Sequence, residues 1–485
     1  MKTKQDIINW LDENKKNFTD ISDQIWEFAE IAYKEFKSSK LQADFLEEQG
    51  FKITWDIYGI NTAFVAEWSS GSGGPIIGFV GEYDALANLS QKIQPTQETF
   101  EEGAAGHACG HNLLGTAPMA SASSIRYWLE ASGKPGTVRY YGCPAEEVLS
   151  GKTFMAKAGV FDDLDVAFNF HPGDVTMASK GSSVGLNDIK FRFYGKSAHA
   201  GGSPHLGRSA LDAVELMNVG VNYLREHVTD KVRIHYAITK GGDAPNIVPA
   251  EAEVWYFIRA QHPDELEEVT NRIRKVAQGA ATMTETTVEE HFQGACSSML
   301  SNHYMADLQY EAMQLLGPIE FDQSEKDFAR QLVAAYPDEF FEKSFERTKE
   351  NLPEELTAEL DALEYRELIP HNLPSIDEDE VMTGSTDVGD VSRITPLCFL
   401  STACAPIGVP AHSWGFTATS GSTIGHKGML HAAKIMALAA MDCYTDPKHI
   451  QNARQEFEAA ITKQPYKNPI PDHVKPPVFE NPERP

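Results

Sequence analysis

The chain has 485 residues, 42% hydrophobic and 23% charged, a globular composition and not a disordered one. That length exceeds a single ordinary core and predicts two domains, one of them interrupted by an insertion. A formal net charge of −28 without any Lys/Arg-rich cluster excludes nucleic acid as a partner, and no apolar run reaches the roughly 18 residues that span a membrane.

From the N-terminus, MKTKQDIINWLDENKK alternates charge with apolar residues and lacks the apolar centre of a secretory signal, so a cytoplasmic location is expected. Six cysteines scattered without a paired framework agree with reduced thiols. The first fifty residues carry apolar side chains at helical spacing and stop at Gly50. NTAFVAEW and PIIGFVGEYD read as strands separated by the turn SSGSGG. GHACGHNLLGTAPMASASSIRYWLE places His107, Cys109 and His111 on alternate positions and then runs into a helix over about 112–132. GTVRYYGCPAEE and DVAFNFHPGD are strands that end in Glu146-Glu147 and in His171. Strands alternating with helices predict a mostly parallel α/β sheet, whose ligand crevice lies at the strand C-terminal ends.

From residue 187 the pattern becomes strand, helix, two strands, helix, strand, a self-contained α+β unit over 187–296. The catalytic body is then 1–186 and 297–485. Within it, about 300–380 is acidic and helix-favouring and reads as a solvated helical insertion. RITPLCFLSTACA returns to short strands, KGMLHAAKIMALAAMDCYT closes with a helix, and the proline-rich tail is expected to lie extended on the surface.

The residues with chemistry gather at the predicted strand ends. In an extended segment Cys109 and His111 point to one side and can chelate, with Gly110 permitting close backbone approach. Alone, the same Cys-x-His describes a buried thiol beside a capping histidine. Glu146 and Glu147 follow an apolar strand, where a solvated pair is not expected and where one carboxylate can ligate while the other acts as a general base. Asp84, also at a strand end, can accept a hydrogen bond from a ligating imidazole. His107 reads equally as a support for the site or as a capping histidine. GSTDVGD, with Ser385 and Asp387, reads as a glycine-rich substrate loop or as an ordinary turn.

Taken together, Cys109-Gly-His111, the Glu146-Glu147 pair, FNFHPG with His171 and PAHSW with His412 resemble the signature of the M20 metallopeptidase family. These are dinuclear amidohydrolases, and the likeness is to the branch in which a cysteine bridges the ions. The resemblance covers nearly the whole chain. It implies a dinuclear aminopeptidase-like catalytic domain with an inserted ferredoxin-like lid and dimerisation domain. It implies two divalent ions, zinc or manganese, held by Cys109 as bridging thiolate with His111, Glu147, His171 and His412, and Glu146 as general base. KSAHAGGSPH resembles the lid segment whose histidine, here His199, reaches a partner subunit's site. GGDAPNIVPAEAEVWYFIRA resembles the segment whose Asn246 and Arg259 hold substrate, and a guanidinium fork suits a carboxylate. His426, in STIGHKG, rivals His412 as last ligand; the serine after His412 favours His412.

The implied reaction is hydrolysis of an N-acyl amino acid. The GHxCGHNLLGTA stretch and long C-terminal half favour a p-aminobenzoyl-glutamate-like substrate, an aromatic acyl group on an acidic amino acid. Alternatives are a dipeptidase or another N-acyl amino acid deacylase, and, from another class, a non-catalytic ligand-binding or partner subunit. The implied assembly is a homodimer or a heteromer with a related subunit.

Overall fold

The computed structural model describes residues 3–378 and 380–483. The first fifty residues form two helices, Lys4–Phe28 and Phe36–Glu48, where periodicity alone predicts one. Ala29 takes a left-handed conformation (φ 41°) and ends the first helix. The break frees Glu35, which is fully buried. Its carboxylate accepts hydrogen bonds from the backbone N–H of Tyr33 and Ala145, both at 2.9 Å, and from Thr62 Oγ1 at 3.0 Å. Continuous helix would save two caps but lose the anchor beneath the Glu146-Glu147 turn.

The main sheet contains β1 Lys52–Ile57, β2 Ile60–Ser69, β3 Ile76–Glu82, β4 Thr137–Cys143, β5 Val166–Gly173 and β6 Thr176–Ser179. After the insertion and the unit described next, the same sheet receives its last two strands, Asn372–Leu373 and Phe399–Ala403. Its spatial order is β1-β2-β4-β3-β5, then Phe399–Ala403, β6 and Asn372–Leu373. The centre, from β4 through β3 and β5 to Phe399–Ala403, is parallel. Antiparallel pairs flank it on both sides. Helix His111–Ser132 crosses from β3 to β4, and nearly all of its residues are buried because Ala, Ser and Gly allow close approach. Ser121 Oγ donates to the Ala433 carbonyl (2.9 Å) of helix Thr423–Thr445, joining the two central helices.

His431 on that closing helix is a buried neutral imidazole. Its ring contacts Asn372 Oδ1 at 3.0 Å, and burial pushes its pKa down to about 4. A depressed imidazole pKa stabilises the fold fully above the unfolded value near 6.5, and that contribution is lost as pH falls towards 4. His431→Gln is therefore expected to flatten the loss of folding stability between pH 6.5 and 4.5, by an amount on the order of 3 kcal/mol at most. Chemical denaturation at several pH values measures it; parallel profiles for both proteins would contradict it.

The second unit has strands β7 Gly185–Tyr194, β8 Arg233–Lys240, β9 Glu251–Ala260 and β10 Thr287–Cys296, ordered β10-β7-β9-β8 and antiparallel throughout. Helices Ala210–Leu224 and Pro263–Thr284 cover one face and close a separate core around Ile189, Val214, Tyr256 and Ile273. This is the ferredoxin-like α+β arrangement.

Of the insertion, helix His303–Leu316 is not solvated: Met305, Ala306, Leu308, Ala312 and Met313 join the main core. Charge counting conceals this because the apolar residues lie on one helical face. The acidic character sits in Asp338–Lys349 and Glu354–Asp361, each with a single fully buried side chain, Phe345 and Leu360. The tail is irregular but partly inserted, with Ile470 buried in the core. No helix among the described residues is long and apolar enough to cross a membrane.

Candidate metal centre

The parallel strands deliver the chemistry at their C-terminal ends. Glu82 ends β3 and Asp84 lies two residues on; Glu146-Glu147 follow β4; His171 lies near the end of β5. Cys109 and His111 sit on a turn at the start of helix His111–Ser132, not on an extended segment. Gly110 between them has φ 74°, a conformation that favours glycine, and a Cβ there would crowd Pro172 Cγ at 3.0 Å. Glu146 opens a 3-10 turn between Ala145 (φ 60°) and Leu149 (φ 52°). His412 also holds a left-handed backbone (φ 57°), and its N–H donates to the Ala108 carbonyl at 2.9 Å, tying its loop to the Cys109 turn. Left-handed non-glycine residues at three points of one pocket are the strain expected of a functional site.

Among the described residues ligand atoms converge in three triads, two of which share one sulfur. Cys109, His111 and His171 form one of these two, and Cys109, Glu147 and His412 the other; Glu82, His111 and Glu146 form the third, with the atoms of each triad within 4.8 Å of one another. Cys109 Sγ lies 3.3 Å from His171 Nε2, and His412 Nε2 lies 3.6 Å from Glu147 Oε2. His171 donates from Nδ1 to the Pro172 carbonyl at 2.8 Å, which leaves Nε2 with a free electron pair. Asp84 accepts from His111 Nδ1 at 3.0 Å and from the Glu147 backbone N–H at 2.9 Å, fixing both neighbours. Burial would raise the Asp84 carboxyl, but the His111 hydrogen bond and charge, the Glu147 N–H and the Lys152 charge together outweigh it and hold it below the ordinary value. Glu146 Oε2 stands 3.8 Å from His111 Nε2, inside the same pocket.

The pocket fits divalent cations. Glu82, Asp84, Glu146, Glu147 and Asp387 surround it, with Lys152 as the fixed positive charge. Buried anions in that excess are costly without added positive charge. Glu82 Oε2, His111 Nε2 and Glu147 Oε1 are buried without a hydrogen-bond partner. Burial pushes the Glu147 carboxyl up to about 7 and the Cys109 thiol up to about 12, so both need a cation to stay ionised. Burial also lowers His171 to about 4, the neutral form that ligates.

The remaining expected residues divide. His426 lies apart from the triads, with its Nε2 2.8 Å from Asp23 Oδ1. His107 is fully buried, faces the Ile25 carbonyl at 3.0 Å, and belongs to none of the triads. His199 and Asn246 are exposed on the second unit; His199 Nδ1 accepts from the backbone of Gly201 and Gly202 at 3.2 and 3.0 Å, which turns Nε2–H outward. Arg259 reaches back from that unit to the Thr383 carbonyl (3.2 Å) and Ser385 Oγ (3.1 Å), while its Nε has no partner. Asp387, in the same loop, ion-pairs with Lys152.

Glu82 and Lys152 escape sequence reading. Lys152 is fully buried and pairs with Glu82 Oε1 at 2.7 Å as well as with Asp387. Glu82 carries a signal, being two residues before Asp84 and so on the same side of an extended segment. Lys152, in the short helix Gly151–Lys157, carries none.

The peptidase dimerisation domain family model matches residues 182–282. Over 482 residues the chain is 43% identical to one of the subunits of the p-aminobenzoyl-glutamate hydrolase of Escherichia coli K12, covering 97% of this chain and 99% of that protein. It is 29% identical over 472 residues to the Xaa-Arg dipeptidase of Mus musculus, covering 94% and 92%. A solved Bacillus subtilis structure, described as a dinuclear metal binding peptidase from the M20 family, shares the fold with a TM-score of 0.52 and 17% identity, covering 87% of this chain and 98% of that one.

Proposed function

The chain belongs to the M20 family of metal-dependent amide hydrolases, and from that premise we propose that it cleaves the amide bond of a p-aminobenzoyl-glutamate-like N-acyl amino acid. The observation that carries the reading is the Cys109 sulfur common to two of the ligand triads, with Glu146 beside them. Cys109, His111 and His171 would hold one ion, and Cys109, Glu147 and His412 the other. Two divalent ions, zinc or manganese by donor type, would supply charge for the carbonyl oxygen and acidify water towards neutral pH. Glu146 takes a proton from the attacking water and returns it to the leaving nitrogen, so its carboxylate ends as it began. Asp84 keeps His111 and the Glu147 backbone in place through both steps.

Arg259 clamps the amino-acid carboxylate through the face of its guanidinium left open by Thr383 and Ser385, and Asn246 binds alongside. His199 serves a neighbouring subunit's site and stabilises the developing oxyanion. Exposed Tyr236 and Ile238 on β8, with Val219 and Tyr223 on helix Ala210–Leu224, make an apolar edge suited to lid-to-lid pairing with a second copy or a related chain. Six free, buried cysteines favour the reducing cytoplasm.

Turnover of a panel of N-acyl amino acids by metal-stripped protein reloaded with each ion tests the substrate. Release of p-aminobenzoate from p-aminobenzoyl-glutamate is expected to exceed cleavage of Xaa-Arg dipeptides; the reverse order would move the assignment to a dipeptidase. Glu147→Ala is expected to lower metal content by about one ion per chain, read by elemental analysis, and full retention would contradict its ligand role. Mixed dimers of Glu146→Gln and His199→Ala chains should regain activity through one intact hybrid site. Proven mixed dimers without recovery would exclude a role for His199 across the interface.

A further inference from the structure

We propose that Glu82 is an additional ligand of the cation on the His111 side and that Lys152 is the positioning residue that aims it; the inference rests on the two-ion reading above. Glu82 is 1% exposed, at the C-terminal end of β3. Lys152 Nζ holds its Oε1 at 2.7 Å, and its Oε2 makes no hydrogen bond. That free oxygen faces His111 Nε2 at 3.4 Å, and Nε2 is likewise buried and without a hydrogen bond. Because His111 donates from Nδ1 to Asp84, a neutral ring presents an electron pair at Nε2. With the ring neutral these would be two buried electron-pair donors facing one another, an arrangement that costs free energy; a proton on Nε2 or a metal ion in its place supplies the positive charge that joins them.

The spacing suits a metal ion. Oxygen and nitrogen ligands about 2.0–2.1 Å from a tetrahedral zinc lie about 3.4 Å apart. Glu82, His111 and Glu146 together offer ligand atoms within 4.8 Å of one another, so His111 is the corner shared between this group and the Cys109–His171 side. Lys152, fully buried and also paired with Asp387, supplies the countercharge to Glu82 and leaves it one direction in which to present Oε2. Glu146, in the same group, remains free to carry protons if Glu82 takes the ligating position.

The test uses the metal-loaded full chain. Anomalous diffraction from zinc-loaded crystals is expected to place Glu82 Oε2 within about 2.3 Å of an ion. In competition with a chromophoric chelator, Glu82→Gln is expected to weaken one of the two ions by roughly 10- to 100-fold, and Lys152→Met to do so to a smaller extent. Cobalt-loaded Glu82→Gln should also show an altered visible absorption spectrum, which a purely structural change leaves alone. Should the unpaired carboxylates unfold the Lys152→Met variant, the double variant Glu82→Gln/Lys152→Met removes both charges together and is measured the same way. An ion more than about 3 Å from Glu82, with unchanged affinity and spectrum in the variants, would overturn the inference and make Glu82 only the counter-ion of Lys152. Wild-type protein that binds no ion pair would instead overturn the two-ion reading itself.

Discussion

Glu146→Gln is expected to reduce kcat by roughly 10²- to 10⁴-fold while the protein keeps both ions and its fold. The amide has nearly the volume of the carboxylate, so the 3-10 turn and its Glu35 anchor are undisturbed. What is lost is a proton acceptor in a pocket where burial already raises the Glu146 carboxyl well above its ordinary value. A raised value brings a carboxylate nearer to the operating pH and makes it a better proton carrier between water and amine. KM should change little because Glu146 does not bind the amino-acid carboxylate. Metal analysis separates this outcome from its rival: if Glu146→Gln is the metal-depleted variant and Glu147→Ala keeps its ions, the two roles are exchanged.

Cys109→Ala is expected to have a still broader effect, removing paired ion binding and with it all measurable turnover. Cys109 is the residue common to two of the triads, so on the proposed assignment its loss takes one ligand from each ion. The side chain is small and the surrounding turn is set by Gly110, so thermal stability of the metal-free protein should hardly move. Cys109→Ser, which keeps the size but offers a hydroxyl of much lower acidity, should bind weakly and recover only a fraction of activity. Retention of two ions by Cys109→Ala would remove the sulfur from the centre of the site.

Much of this was legible in the residues, for identifiable reasons. Strand periodicity followed by polar residues placed Asp84, Glu146, Glu147 and His171 at the ends of parallel strands, and sheet topology brings such ends together. The α+β unit was legible because its two amphipathic helices and four strands carry their own core. The break at Ala29–Glu35 was not, since helical spacing continues on both sides and the reason for the break, the Glu35 carboxylate under Ala145, lies more than a hundred residues away. The buried helix His303–Leu316 was hidden by the acidic segments that follow it. Lys152 was hidden more completely: a lysine in a short helix looks like surface, and only Glu82 and Asp387, brought in from two other elements, make it an interior charge. Local pattern found the residues that end strands; it could not find those that matter through a distant partner.

The most direct measurement is a titration of chelator-stripped protein with a single divalent ion, recording bound ions per chain and p-aminobenzoyl-glutamate hydrolysis together. The two-ion account predicts no hydrolysis at zero occupancy and a rise to full rate as the second equivalent binds. Hydrolysis at full rate by protein shown to hold no metal would contradict it.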